Sequence, residues 1–260
     1  MDFFVLSCNI LADAYIRSEY YRPDALPWLD SAWRLPALVA YLRGFDADIL
    51  CLQEVETKAY SAIAQGLGKD YAGHLAAKRG RPDGCACFVR RRAFAVEAVT
   101  VLHYRDGGGS ATGEQDSGHL AQVLQLAGAA GRLQIANTHL KWQPPSALPL
   151  QRWGLIQIEQ LLASLAAPPT TIVCGDFNAD PDSEVLASCA AAGLMDCYSD
   201  RPDAYTCNSN AVAKRIDYVQ HGAALRAEPI DVPAIAGATP LPSPAHPTDH
   251  IAIGARFCFA

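Results

Sequence analysis

Nowhere does the 260-residue sequence hold an apolar run approaching the ~20 residues that a membrane-spanning helix needs, so a soluble protein is expected. Charge is scarce. Only 18% of residues are Asp, Glu, Lys or Arg against 50% hydrophobic, which excludes a disordered or fibrous chain and leaves ample side chain for a continuous core. Positive charge is not in excess either. The formal net charge is −6, so the global positive field that holds long duplex DNA by phosphate neutralisation is missing. The nine cysteines lack the paired spacing of a zinc site or a disulfide framework, and free buried thiols are expected. The first ten residues show no basic segment leading into a long apolar stretch, so a reducing, cytoplasmic setting is expected. No repeat and no linker divides the chain, and one catalytic domain over 1–260 is expected, with a monomer as the default.

What the chain does contain is a series of short apolar runs rich in Val, Ile, Leu and Phe. They lie at 3–6, 48–52, 86–89, 95–102, 121–126, 133–136, 171–174, 216–219 and 251–257, and their length predicts strands. Helical spacing predicts helices over 33–43, 58–66, 151–165 and 183–192. Strands outnumber helices and often follow one another, so the class is α/β leaning to α+β. A glycine-rich stretch at 103–118 and proline-rich stretches at 143–149 and 228–247 read as loops.

The informative residues stand at the ends of those runs, where an ionisable group can enter a shared cleft while the strand stays buried. Asn9, Glu54, His139, Asp176 and Asn178 follow strands; Asp217 sits in Arg-Ile-Asp-Tyr; Asp249 and His250 precede the last strand. Taken singly, each has a plain structural use, as a turn former, an Asx cap or a hydrogen-bonded histidine. Their conjunction is specific. Asn9, Gln53-Glu54, Thr138-His139, Gly175-Asp176-Phe177-Asn178, Ile216-Asp217-Tyr218 and Thr248-Asp249-His250 resemble the ordered motif set of the endonuclease/exonuclease/phosphatase superfamily. Further stretches are similar to its deadenylase and nocturnin branch, which includes Angel-type proteins and a mitochondrial 2′-phosphodiesterase. They are 9–13, 46–49, 52–57, Asp83-Gly84-Cys85-Ala86, 121–124, and Leu241-Pro242 leading to 246–250. The resemblance implies a four-layer α/β/β/α sandwich, two mixed β-sheets flanked by helices, with the site where the sheets open.

Hydrolysing a phosphate ester requires an activated water, neutralised phosphoryl oxygens and help for the leaving oxygen. Hard oxygen ligands without cysteine suit Mg²⁺ or Mn²⁺. Glu54 is the first candidate ligand; Asn9 would hold the same ion or its waters, and Asp249 or Asp176 would complete a second position. By resemblance, Asp176 orients or deprotonates the water, and Asn178 and His139 donate to the phosphoryl oxygens. His250 contacts the phosphate from the other side, and Asp217 holds the tautomer of His250.

In the deadenylases, a proline after the catalytic histidine and an aromatic residue before Ile-Asp-Tyr clamp the terminal adenine. Pro144 stands at the first position here, but Val212 stands at the second, with Trp142, Tyr205 and Tyr15 as alternative stacking faces. Arg81, Lys141 and Lys214 are the basic residues placed to meet a terminal phosphate. A nucleotide or single-stranded RNA 3′ end is therefore the expected substrate, cut in the manner of a 3′-exoribonuclease or of a 2′- or 2′,3′-cyclic phosphatase. The alternatives are an apurinic DNA endonuclease, opposed by the acidic charge; a phospholipid or inositol phosphatase, opposed by the lack of a basic amphipathic helix; and an inactive binding module, opposed by the intact motif set.

Overall fold

A computed structural model describes residues 2–107, 116–144, 146, 152–166 and 168–260. The centre of the glycine-rich loop, most of the proline-rich loop at 143–149 and the first residue of the helix expected at 151–165 lie outside them. The strands in chain order are β1 (Phe3–Asn9), β2 (Ile49–Gln53), β3 (Tyr71–Ala77), β4 (Gly84–Arg90), β5 (Phe94–His103), β6 (Leu120–Gly128) and β7 (Gly131–His139). They continue with β8 (Thr171–Asp176), β9 (Met195–Asp196), β10 (Cys207–Ser209), β11 (Val212–Lys214), β12 (Asp217–His221), β13 (Leu225–Pro229) and β14 (Ile253–Phe259). The helices are α1 (Ser31–Gly44), α2 (Thr57–Leu67), α3 (Trp153–Ser164) and α4 (Glu184–Ala191). One six-stranded sheet runs β13-β14-β1-β2-β4-β3, and a second runs β5-β6-β7-β8-β12-β9; β10 and β11 form a separate hairpin.

Period-two alternation sorts each strand between two environments. In β1, Phe3 and Val5 enter the core between the sheets, while Phe4, Leu6 and Cys8 face α1 and α2, meeting Leu38, Leu42 and Ile63. In β8, Ile172 and Cys174 enter the same inter-sheet core, while Val173 faces α3 and α4, meeting Ile158, Leu161 and Val185. These are the four layers. The inner strands β1, β2, β4, β8 and β12 are buried on both faces, which is why they read as short continuous apolar runs rather than as alternating ones; β5, at an edge of the second sheet, keeps its apolar run although it is largely exposed. Eight of the nine cysteines are buried free thiols, as expected.

The strands differ from expectation where burial is one-sided. β3 and β13 sit at the edges of the first sheet, and their half-buried, polar-interrupted sequences carry no apolar run. β13 takes Glu228 and Pro229 out of the expected loop, and the last strand begins at Ile253 rather than at residue 251.

Strand direction explains why the polar motifs stand where they do. β1 and β2 are parallel, as are β7 and β8, so Asn9, Glu54, His139 and Asp176 emerge together at C-terminal ends. β12 and β14 run the opposite way, so their beginnings, Asp217 and the preceding His250, reach the same rim. Gly175 makes the close approach of β7 and β8 possible there. Its φ is +142°, and a Cβ at this position would lie 1.8 Å from the Thr138 carbonyl oxygen of β7. Gly175→Ala is expected to destabilise the fold by about 3 kcal/mol or more in urea unfolding. A midpoint indistinguishable from the parent would show that the two strands have room to part.

Candidate active site

The face of each strand that feeds the inter-sheet core turns polar toward one end. Ser7 and Asn9 continue the row of Phe3 and Val5; Asn137 and His139 continue that of Leu133 and Ile135; Asp176 continues that of Ile172 and Cys174. A belt of amides separates the apolar core from the site. Gln53 Nε2 donates to Ser7 Oγ (3.2 Å) and, across the sheets, to Asn137 Oδ1 (2.7 Å), while Asn137 Nδ2 donates to the Leu52 and Ala86 carbonyls. Buried amides so paired fix the register of one sheet on the other.

Above this belt, Asn9 joins the two sheets. Its Nδ2 donates to Glu54 Oε1 on one side and to Asp176 Oδ2 on the other, each at 3.0 Å, while its Oδ1 accepts from Leu11 N. Glu54 Oε2 accepts from Ala12 N (2.9 Å), and Asp176 Oδ1 accepts from Asn178 N (2.9 Å). Glu54 and Asn178 both sit just past a strand with positive φ, 57° and 49°, a strained conformation held by these bonds. Burial raises the pKa of Glu54 and so does neighbouring Asp249, against Lys78, Asn9 and Ala12. Burial and Asp217, its direct partner in the β8–β12 register, push Asp176 up to about 7, against His250 and the two hydrogen bonds.

His250 faces Asp176 from the last strand's approach. Burial alone would favour the neutral ring, but Asp217 Oδ2 lies 2.8 Å from Nδ1 and holds the imidazolium well above the ordinary histidine range. Nε2 lies 3.9 Å from Asp176 Oδ2. His139 is the opposite case. Burial, Lys78, His119 and His250 keep it neutral. Lys78, which can only donate, lies 3.3 Å from Nδ1, so that atom accepts and the proton resides on Nε2. Asn178 Nδ2 is oriented by donation to the Leu140 carbonyl (2.9 Å) and lies 3.1 Å from that Nε2. Two donors thus converge side by side, and an anionic oxygen between them would satisfy both.

Glu54, Asp249, His250, Asp176, Asn178 and His139 line one cavity of about 730 Å³; Asn9 and Asp217 lie buried beneath it. Arg81, Lys141, Lys214 and Trp142 line it too, with the Lys141 ammonium 3.2 Å over the Trp153 ring. Pro144 lines a neighbouring cavity of about 290 Å³ instead, although Gln143 before it lines both. Of the alternative stacking faces, Tyr15 borders the main cavity and Tyr205 is not among its lining residues.

Three contributors were missed from the sequence. Lys78 is buried with Asp83 (2.7 Å), which also accepts from the Tyr15 hydroxyl (2.6 Å). Tyr21 donates to Asp249 Oδ2 (3.1 Å), and His119 packs edge-on against His139. Lys78 follows β3, whose half-buried sequence hid the strand; His119 directly precedes β6, where a polar residue before an apolar run was the available signal.

The sequence pattern of the Endonuclease/Exonuclease/phosphatase family matches residues 6–250. The chain belongs to that family. It is 31% identical to human Protein angel homolog 2 over 205 residues, 72% of this chain and 36% of that protein. It is 24% identical to human 2′,5′-phosphodiesterase 12 over 206 residues, 68% of this chain and 34% of that one. The chain thus spans about a third of the length of these relatives. Its fold is similar to that of ANGEL2, described as a 2′,3′-cyclic phosphatase, with a TM-score of 0.84 at 24% identity over 99% of this chain and 95% of that one. The human Nocturnin catalytic domain, with a bound sulfate anion, matches with a TM-score of 0.74 at 25% identity over 100% and 94%. These relatives stand in the branch that the motifs resemble.

The family site fits a divalent cation by its charges. Glu54 and Asp249 repel each other, and Asp249 Oδ1 is buried with no hydrogen-bond partner among the described residues. An oxygen-only donor set of this kind suits a hard ion. Asp176, Asp217 and His250 also bring ligating atoms within 4.8 Å of one another, but a protonated His250 has no lone pair on either ring nitrogen to offer an ion.

Cations and protons compete for these carboxylates. Glu54 and Asp176 ionise less readily folded than unfolded, so the folded chain holds more protons. Each therefore takes stability from the metal-free protein as pH rises from the ordinary carboxyl range through its folded value, about 7 for Asp176. Mg²⁺ or Mn²⁺ is expected to raise Tm by about 3 °C or more at pH 8 and by less at pH 5.5. Glu54→Gln should abolish the rise. Equal shifts at both pH values would mean that the ion binds elsewhere.

Proposed function

We propose that this chain is a divalent-metal-dependent phosphoesterase acting on nucleotides or RNA 3′ ends. The observation that carries the reading is the Asn9 bridge, which holds a carboxylate from each sheet at one cavity opposite the His250–Asp217 pair. Glu54, with Asn9 and Asp249, would hold Mg²⁺ or Mn²⁺, which when bound neutralises phosphoryl charge and eases water deprotonation.

The chain's own groups account for the rest. Asp176, poised near neutrality, takes a proton from the attacking water at Oδ2 while Asn178 N fixes Oδ1. The converging donors at His139 Nε2 and Asn178 Nδ2 bind one phosphoryl oxygen. The His250 imidazolium donates from the other side, its tautomer set by Asp217. Lys78 keeps His139 in the donating tautomer, and its charge is balanced by Asp83.

A compact ribonucleotide end suits a cavity of this size better than a long strand. Trp142 and Tyr20, 58% and 48% exposed on its wall, offer stacking faces for a base. The aromatic half of the deadenylase clamp is missing, since Val212 is aliphatic, and Pro144 lines the adjoining cavity. The reading therefore leans away from poly(A) specificity and toward ends of the kind that the cyclic phosphatase ANGEL2 handles.

RNA oligomers ending in hydroxyl, 3′-phosphate or 2′,3′-cyclic phosphate, with Mg²⁺ or EDTA, test it. Release of mononucleotide marks an exonuclease and loss of the terminal phosphate alone a phosphatase; no turnover of any RNA end would overturn the proposal. Asp176→Ala and His250→Ala should each lower kcat by about 100-fold or more with the fold retained. Asp217→Asn removes the charge that raises His250, so the imidazolium is lost at lower pH and the alkaline limb of the rate profile should move down. An unmoved limb would take Asp217 out of that role.

A further inference from the structure

His119 stands on the cavity wall beside the phosphate position, its ring edge-on to His139 with centroids 5.6 Å apart. Its proton is placed by a chain of groups running from half-buried Ser117 to buried Asp106 and Gln157. Asp106 accepts from Ser117 N (2.6 Å), from the Ser117 hydroxyl and from Gln157 Nε2. The hydroxyl spends its one proton on Asp106 and so accepts from His119 Nδ1 at 2.9 Å. Gln157, fully buried on α3, ties the arrangement to the catalytic segment by accepting from Lys141 N through Oε1 (2.8 Å). Nε2 is therefore left with a lone pair, and it has no hydrogen-bond partner among the described residues. Burial and the charges of Lys78, Arg81 and Lys141 push the pKa of the ring down to about 3, so it stays neutral and cannot serve as a base.

A lone pair on the cavity wall repels phosphoryl oxygens, which only accept, and is met by a donor, either water or a hydroxyl of the substrate. The donor nearest a ribonucleotide phosphate ester is the ribose hydroxyl next to the esterified carbon. We infer that His119, with Ser117, Asp106 and Gln157 as positioning residues, forms a subsite that accepts a hydrogen bond from a ribose 2′-hydroxyl and selects ribose over deoxyribose. The inference rests on the phosphoesterase reading above and adds a specificity element to it.

The test compares kcat/KM on RNA trinucleotides ending in 3′-hydroxyl or 3′-phosphate that are all-ribose, 2′-deoxy at the terminal sugar, or 2′-deoxy at the penultimate sugar. The parent is expected to lose about tenfold when one of these hydroxyls is removed. His119→Leu should lose a similar factor on the all-ribose substrate and show no further loss on the deoxy one, while His119→Gln, which keeps an acceptor, retains part of the preference. Ser117→Ala leaves the ring but frees its tautomer, so the preference should narrow; it decides the matter if His119→Leu fails to fold. An unchanged ratio in His119→Leu and Ser117→Ala, or a preference that follows the base instead of the sugar, overturns the subsite alone. Turnover of a 2′,3′-cyclic end alone, whose terminal 2′-oxygen is esterified and cannot donate, overturns the subsite alone; absence of turnover by the parent on the trinucleotides and on the cyclic end overturns the phosphoesterase reading and the subsite with it.

Discussion

A single side-chain amide sets the geometry of this site. Asn9 Nδ2 has two protons, and each is given to a carboxylate from a different place in the fold: Glu54 past the end of β2, and Asp176 at the end of β8 in the opposite sheet. The distance between the sheets at the cavity floor is thereby tied to the width of one amide. Below it, the Gln53–Asn137 bond fixes the same spacing one layer deeper, and the apolar core takes over beneath that. A buried amide paired at both oxygen and nitrogen, as Asn9 is, specifies one arrangement where hydrophobic contact alone would tolerate several.

The cost of this arrangement is electrostatic. Glu54, Asp176, Asp217 and Asp249 crowd one end of the sheets, Glu54 half-buried and the other three buried, and burial works against the ionisation of Glu54 and Asp176. The molecule answers unevenly. Asp217 is committed to a histidinium, Asp176 is left near its own ionisation point, and Glu54 with Asp249 is left short of positive charge. Unlike environments for like groups divide acid–base work from cation binding. The two histidines show the same division, since His250 is held protonated by a carboxylate and His139 neutral by burial and a neighbouring ammonium.

Local rules are broken where the chemistry is placed. Leu11, Glu54 and Asn178 all adopt positive φ without being glycine, and each adjoins a strand that delivers a site residue. Such strain persists because the surrounding hydrogen bonds over-determine it. The buried Lys78–Asp83 pair is a similar expense: two desolvated charges retained where they orient His139 and Tyr15.

The strand ends were legible in the sequence because a doubly buried strand must be an apolar run, and a polar residue closing such a run has few places to go except the rim. Asn9, Glu54, His139, Asp176, Asp217 and His250 were found that way and do converge. Edge strands β3 and β13 were not legible, since polar residues interrupt them, and with β3 the burial of Lys78 was hidden; edge strand β5 was legible because its exposed side still carries Val99 and Val101. Nor does residue type disclose which way a side chain turns: Pro144 lines the neighbouring cavity, and Lys141 rests its charge on Trp153. Patterning along the chain determined which residues share a face, because that depends only on the period of the backbone. Which donor meets which acceptor, and therefore which protons Asp176, His139, His119 and His250 carry, was decided by contacts between segments far apart in the chain, which only packing brings within reach.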